Sequence, residues 1–167
     1  MLSSGSAQYS GAKRVHEMAS REKAVIEVRI LHAAFLMTVF LLAFTVQVFN
    51  GAEQPISPVV PLAIACVAVS DIGVGFMMRK KFMDKATEVF ASNGEGKGLQ
   101  AWRLANIYSF AHAETVVLLG VTLKVLGANW KIAAPFFAVG FALLVWWTPR
   151  MELAASTNAA APPRTMG

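Results

Sequence analysis

Apolar positions along this chain fall into four long runs, Val28 to Phe49, Ile56 to Met78, Leu104 to Leu126 and Ile132 to Trp147. Charged, proline-containing or glycine-containing breaks separate them. Each run nears the ~20 residues that a helix needs to cross a bilayer. In hydrocarbon every backbone N–H and C=O must be satisfied within the segment, so runs of this length are expected as helices. The expected fold is all-α, a four-transmembrane-helix bundle made of two helical hairpins. A spacing of 32 positions from Arg29 to Pro61 and again from Arg103 to Pro135 fits two related hairpins.

The charges orient the bundle. Lys13, Arg14, Arg21, Lys23 and Arg29 precede the first run, Arg79, Lys80, Lys81, Lys85, Lys97 and Arg103 lie between the second and third, and Arg150 and Arg164 follow the fourth. Of the 15 Lys and Arg, the remaining two, Lys124 and Lys131, lie near the opposite side. Positive residues collect on the cytoplasmic side, so both termini and the loop 79–103 are expected there. A chain 56% hydrophobic and 15% charged is too apolar for a soluble domain of this length. The net charge of +5 and pI of 9.7 are accounted for by flanks that meet anionic headgroups, which removes the argument for nucleic-acid binding. The expected location is a bacterial inner membrane, multi-pass, with the first span serving as insertion signal because residues 1–22 are polar and hold no apolar core.

Three parts follow: a polar cytoplasmic N-terminal segment 1–22, a transmembrane domain 23–150, and a C-terminal tail 151–167, rich in Ala and Pro and expected to be disordered. From Ala12 to Leu31 a charged helix is expected to lead into the first span, closed by Asn50-Gly51. Pro61 is expected to bend the second span. Phe82 to Ala91 alternates apolar and charged residues at helical spacing, so this part of the amphipathic cytoplasmic loop 79–103 is expected to lie along the headgroups. Three glycines between Ser92 and Gly98 read as a flexible linker. Trp102, Tyr108, Trp130, Trp146 and Trp147 fit interfacial aromatic belts. Cys66 is the single cysteine, so it offers neither an intramolecular disulfide nor a cysteine metal site, and it is expected as a buried, inert thiol.

Polar side chains inside a span are costly and are functional candidates by default. His32 falls near the inner headgroups, Asp71 and His112 about a third to half of the way across, and Glu114 near the midplane, counting about 1.5 Å per residue from the inner arginines. The equal depth of Asp71 and His112 on antiparallel helices permits a pair between the second and third spans. His112 and Glu114, two positions apart, point about 200° away from each other. Glu114, Asp71 and His112 are the candidates for a proton or ion pathway. Asn106, Ala113, Gly120 and Gly127 recur every seven residues as a seam of small side chains on which membrane helices approach closely. Ala134, Ala138 and Ala142 offer a matching stripe on the fourth span, with Glu114 beside the contact.

The stretch Ala113-Glu114-Thr115-Val116-Val117-Leu118-Leu119-Gly120 resembles the ion-carrying helix of rotor-ring subunits in rotary ATPases, where a Glu is followed six positions later by Gly. The likeness covers one helix; the first span here has no glycine ladder, and the carboxylate falls on the first helix of a hairpin. The second half, with Ala113-Glu114, Pro135-Phe136-Phe137 and Pro149-Arg150, is similar to small four-span bacterial membrane proteins. That resemblance implies the four-span fold and no activity. Arg103, Asn106 and Glu114 match the residue types of the four-span glutathione-transferase membrane family, at too long an Asn-to-Glu spacing.

With no nucleophile arrangement, cofactor motif or metal cluster, the chain is not expected to be an enzyme or to hold a cofactor. The expected function is that of a non-catalytic accessory subunit of a larger energy-transducing membrane complex, respiratory or photosynthetic, whose partners are the lipid bilayer and other membrane subunits or further copies of itself. The alternative is a proton- or cation-conducting bundle using Glu114. A haem held by His32 and His112 is disfavoured by their unequal depths.

Overall fold

The computed structural model describes residues 5–48, 53–93 and 95–149, with side chains from residue 19 onward except at Asn93 and Glu95. They form four helices, α1 (Gly5–Val48), α2 (Val59–Asn93), α3 (Glu95–Val125) and α4 (Trp130–Trp146), and no strand among the described residues. Three stretches, Ala19–Val48, Val59–Ser92 and Gly96–Val125, are long and apolar enough to cross a membrane, whereas α4, at 17 residues, is shorter. This is the make-up of an integral membrane protein. The expected tail 151–167, Arg150 and the break at Asn50-Gly51 lie outside the described residues.

Lipid supplies no hydrophobic drive between helices, so the arrangement rests on close packing and internal polar bonds. α3 is the hub: it packs most extensively on α2, then on α4, then on α1, while α1 also touches α4. Burial follows, at 44% of the most apolar window in α3 against 11% in each of α1 and α2. Of the two expected hairpins, α3 and α4 pack on each other, whereas α1 lies on α3 and α4 and makes little contact with α2. Hydroxyls of Thr38, Ser70, Ser109, Thr115 and Thr122 and the amide of Asn106 bond to the carbonyl four residues back, which satisfies them inside their own helix.

The stretch 79–103, expected as an amphipathic loop, is helical on both sides of Gly94. α2 runs unbroken past Arg79-Lys80-Lys81 to Asn93, and α3 starts at Glu95. At about 1.5 Å per residue, α2 is roughly 52 Å long against ~30 Å of hydrocarbon, so the charged end of the α2–α3 pair projects well beyond an apolar slab. Packing holds this extension together: Phe82 stacks on Tyr108 at 4.9 Å between ring centroids, and the Phe90 ring sits so close to Gly98 that a Cβ there would overlap it. The residues read as a linker accordingly end α2 and begin α3, Gly94 being outside the described residues. Pro61 falls in the first turn of α2, where its missing N–H is one that a helix start leaves unpaired anyway, so the expected bend has no cause there.

Gly127 is not part of a helical seam. It follows α3 with φ +94°, its N–H donating to Lys124 O at 2.9 Å and the Ala128 N–H to Leu123 O at 2.9 Å. This is a Schellman cap, which asks for glycine because a side chain is strained at positive φ. The following Asn129 caps α4, its side-chain oxygen accepting from Ile132 N at 3.1 Å. The remaining seam residues Asn106, Ala113 and Gly120 are buried. Their α4 counterpart is shifted by one position from the expected stripe: Ala134, Ala138 and Ala142 are exposed, while Ala133, Phe137, Gly140, Leu143 and Leu144 face inward. The closest approach is at Gly140, where a Cβ would lie 2.8 Å from Ala113 O.

Candidate functional site

The structure brings Asp71 and His112 together. On α2, Asp71 borders the buried face that carries Ala68 and Gly75; on α3, His112 lies opposite, its Nδ1 donating to Asp71 Oδ1 at 2.8 Å. Both side chains are about one-fifth exposed, at 19% and 20%. Gly75, one turn beyond Asp71, leaves the space for this approach, since a Cβ there would sit 3.1 Å from His112 Cβ and 3.3 Å from Trp147 Cη2. The second carboxylate oxygen, Asp71 Oδ2, is buried without a hydrogen-bond partner, as is the indole Nε1 of the fully buried Trp147. A buried polar atom with an unmet bond is a place where a proton or a small polar group gains more than it would at the surface.

His32 is used differently. Its Nε2 donates to Leu144 O at 2.9 Å, in the last turn of α4, where carbonyls outrun their amide partners. Its ring lies 4.9 Å from that of Phe110. Each of the two histidines thus holds a different pair of helices together, and they are not two ligands facing one centre. Among the described residues no three His, Cys, Asp or Glu side chains group as a metal site.

Glu114 is not part of the Asp71–His112 cluster. By helical rotation it falls within roughly 40° of Arg103 and Phe110, on the α1 side of α3, and about 200° from His112. Partly buried between the exposed Ala111 and Leu118, it makes no hydrogen bond or ion pair among the described residues. On that same side, nearer the charged end, Arg103 Nη2 meets Glu27 Oε2 at 2.7 Å. The three pathway candidates therefore divide into a pair and an isolated carboxyl.

At the opposite end Lys124, read from the sequence only as a flanking charge, has a side chain just 4% exposed and lies 3.8 Å from Glu53 Oε1. Its ammonium stands 5.7 Å from the centre of the Trp130 ring, and Trp130 Nε1 donates to Gln47 Oε1. Gln54 N donates to Gly127 O at 3.1 Å. These contacts tie the α1–α2 connection to the α3–α4 turn. The signal in the sequence was a lysine inside an apolar run just before a glycine. Cys66, expected as buried, is exposed on α2.

Comparison with protein-family models, curated proteins and solved structures finds no match.

Proposed function

We propose that this chain is a non-catalytic subunit of a larger membrane assembly in a bacterial inner membrane, with its termini and the projecting α2–α3 end in the cytoplasm. The observation that carries the reading is α2, which packs on α3 and leaves its opposite face open. That open face carries Ala63, Cys66, Ser70 and Gly73, all exposed, and nothing lies within 4 Å of where a Gly73 Cβ would be. Small residues are what membrane helices present to other helices. The exposed Ala134, Ala138 and Ala142 of α4 support the same reading. The test is purification in a gentle detergent followed by mass spectrometry. Stoichiometric recovery of other membrane subunits, a respiratory or photosynthetic assembly being the first class to look for, is the expected result; a lone chain overturns it. Reporter fusions at Glu53 and Lys97 should report opposite sides of the membrane.

A second reading, conduction of protons or a cation, draws on the unpartnered Asp71 Oδ2 beside His112. It predicts a flux in vesicles containing the purified chain that Asp71→Asn abolishes.

A further inference from the structure

On the open side of α3 we infer a binding site for a lipid-soluble hydroquinone, in which His112 Nε2 accepts a hydrogen bond from a ring hydroxyl. It goes beyond both readings above and depends on neither.

Because α1 and α2 both lean on α3 and hardly on each other, a groove runs along α3 between them. Contacts fix its walls. Arg103 and Phe110 meet Glu27 and Phe35 of α1, while Tyr108 and His112 meet Phe82 and Asp71 of α2. By helical rotation Leu104, Ile107, Ala111 and Leu118 fall between those two sides, and all four are exposed. They make an apolar floor.

Two observations on the α2 wall bear on the ligand. A carboxylate only accepts, so the Nδ1 bonded to Asp71 carries the proton, and the neutral imidazole presents Nε2 as an acceptor. Asp71 Oδ2 is enclosed. His112 Nε2, by contrast, makes no hydrogen bond among the described residues and is not one of the enclosed atoms. The open atom asks for a donor, and Asp71 holds the ring to receive it. The second observation is Tyr108, one turn nearer the charged end, whose ring stacks on Phe82 at 4.9 Å and is still exposed. An aromatic guest beside it would gain more than its buried area alone supplies.

Depth and shape select the occupant. His112 lies nine residues along α3 from Arg103, about 13 Å further into the apolar span, which is too deep for a phosphate headgroup. Membrane helices approach one another on small residues, whereas Leu104, Ile107 and Leu118 present branched bulk. A flexible hydrocarbon tail can follow such a floor. A hydroquinone supplies that tail together with a small aromatic head and the O–H that Nε2 requires.

The test uses the full chain, purified in gentle detergent with whatever stays bound and placed in lipid nanodiscs. It is titrated without oxygen with a decyl-substituted benzohydroquinone, and uptake by empty nanodiscs is subtracted. Saturable binding is expected. The dimethyl ether of the same probe, which has no O–H, should bind about tenfold more weakly, as the loss of one hydrogen bond brings. His112→Asn should lower affinity to the same extent with an unchanged unfolding curve, because Asn still donates to Asp71 but has no atom in the place of Nε2. Ala111→Phe should fill the groove and weaken binding while leaving the Asp71–His112 bond in place. Trp146→Leu, on the exposed side of α4, should change nothing. Equal affinity for the hydroquinone and its ether, full affinity in His112→Asn, or uptake no greater than that of empty nanodiscs overturns the inference; should the Asn variant unfold, the ether comparison on the unaltered chain decides. A photo-crosslinker at Ala111 that captures a polypeptide puts a partner helix in the groove, which overturns the ligand and leaves the subunit reading in force.

Discussion

Replacing Gly140 with alanine adds one methyl group at the tightest point between α3 and α4. Its Cβ would meet a methyl of Val117, which is fully buried and β-branched and so has little rotamer freedom in a helix, and Ala113 O at 2.8 Å, which belongs to helical backbone and cannot turn aside. Ordinary contact begins near 3.4 Å, so the helices must part by about 0.6 Å at this level, an overpacking of the kind that costs about 1–3 kcal/mol. Alanine also favours the helix over glycine by about 1 kcal/mol, which leaves a net loss of about 1 kcal/mol in the middle of the range. Gly73→Ala makes the same change of backbone preference where no atom lies within 4 Å, and should raise stability by up to about 1 kcal/mol. The difference between the two variants isolates the clash and should amount to about 1–3 kcal/mol. Unfolding by graded denaturing detergent, followed by tryptophan fluorescence, measures both. A Gly140→Ala protein as stable as Gly73→Ala would refute the close approach of α3 and α4 at this position.

Glu114, having no partner among the described residues, should tolerate both Gln and Leu within about 0.5 kcal/mol by the same unfolding assay, as substitutions away from any built contact do; a loss near 2 kcal/mol with Leu would reveal an interhelical bond. A double-mutant cycle of Asp71→Asn and His112→Ala should give a coupling of about 0.6–1.7 kcal/mol, the range for polar pairs between membrane helices, and zero coupling would mean the pair does not form. Gly127→Ala should cost about 1–2 kcal/mol, the price of a left-handed conformation for a residue with a side chain, and an unchanged unfolding curve would contradict the cap.

The spans were legible because lipid leaves a backbone no choice: a long apolar run must be a helix, whatever surrounds it. The ends of the helices were less so. Arg79-Lys80-Lys81 marks where apolar sequence stops, but a helix does not stop where hydropathy changes, and α2 continues because Phe82 and Phe90 pack on α3. Depth counting brought Asp71 and His112 to one level, and one contact between α2 and α3 was enough to join them. For Glu114 the depth was equally readable, but the expected neighbours depended on which side of α3 each helix occupied, and that is decided by all the contacts together. The α4 stripe shows the same limit. Ala134, Ala138 and Ala142 repeat every four residues, as Ala133 and Phe137 do, and periodicity alone cannot rank two adjacent faces; Gly140, the one residue that admits a neighbouring backbone, breaks the tie. Gly127 matched a heptad by coincidence, while its place after the last turn of α3 was the better guide.

Because α1 and α2 both lean on α3 and hardly on each other, the order of synthesis has a consequence. The first two helices reach the membrane before the surface that holds either of them exists. They must wait as separate segments, sheltered by lipid or by the insertion machinery, until α3 arrives between them. Assembly of this chain is therefore gated by its third helix, and a chain that stops at Asn93 would leave α1 and α2 without the surface that joins them.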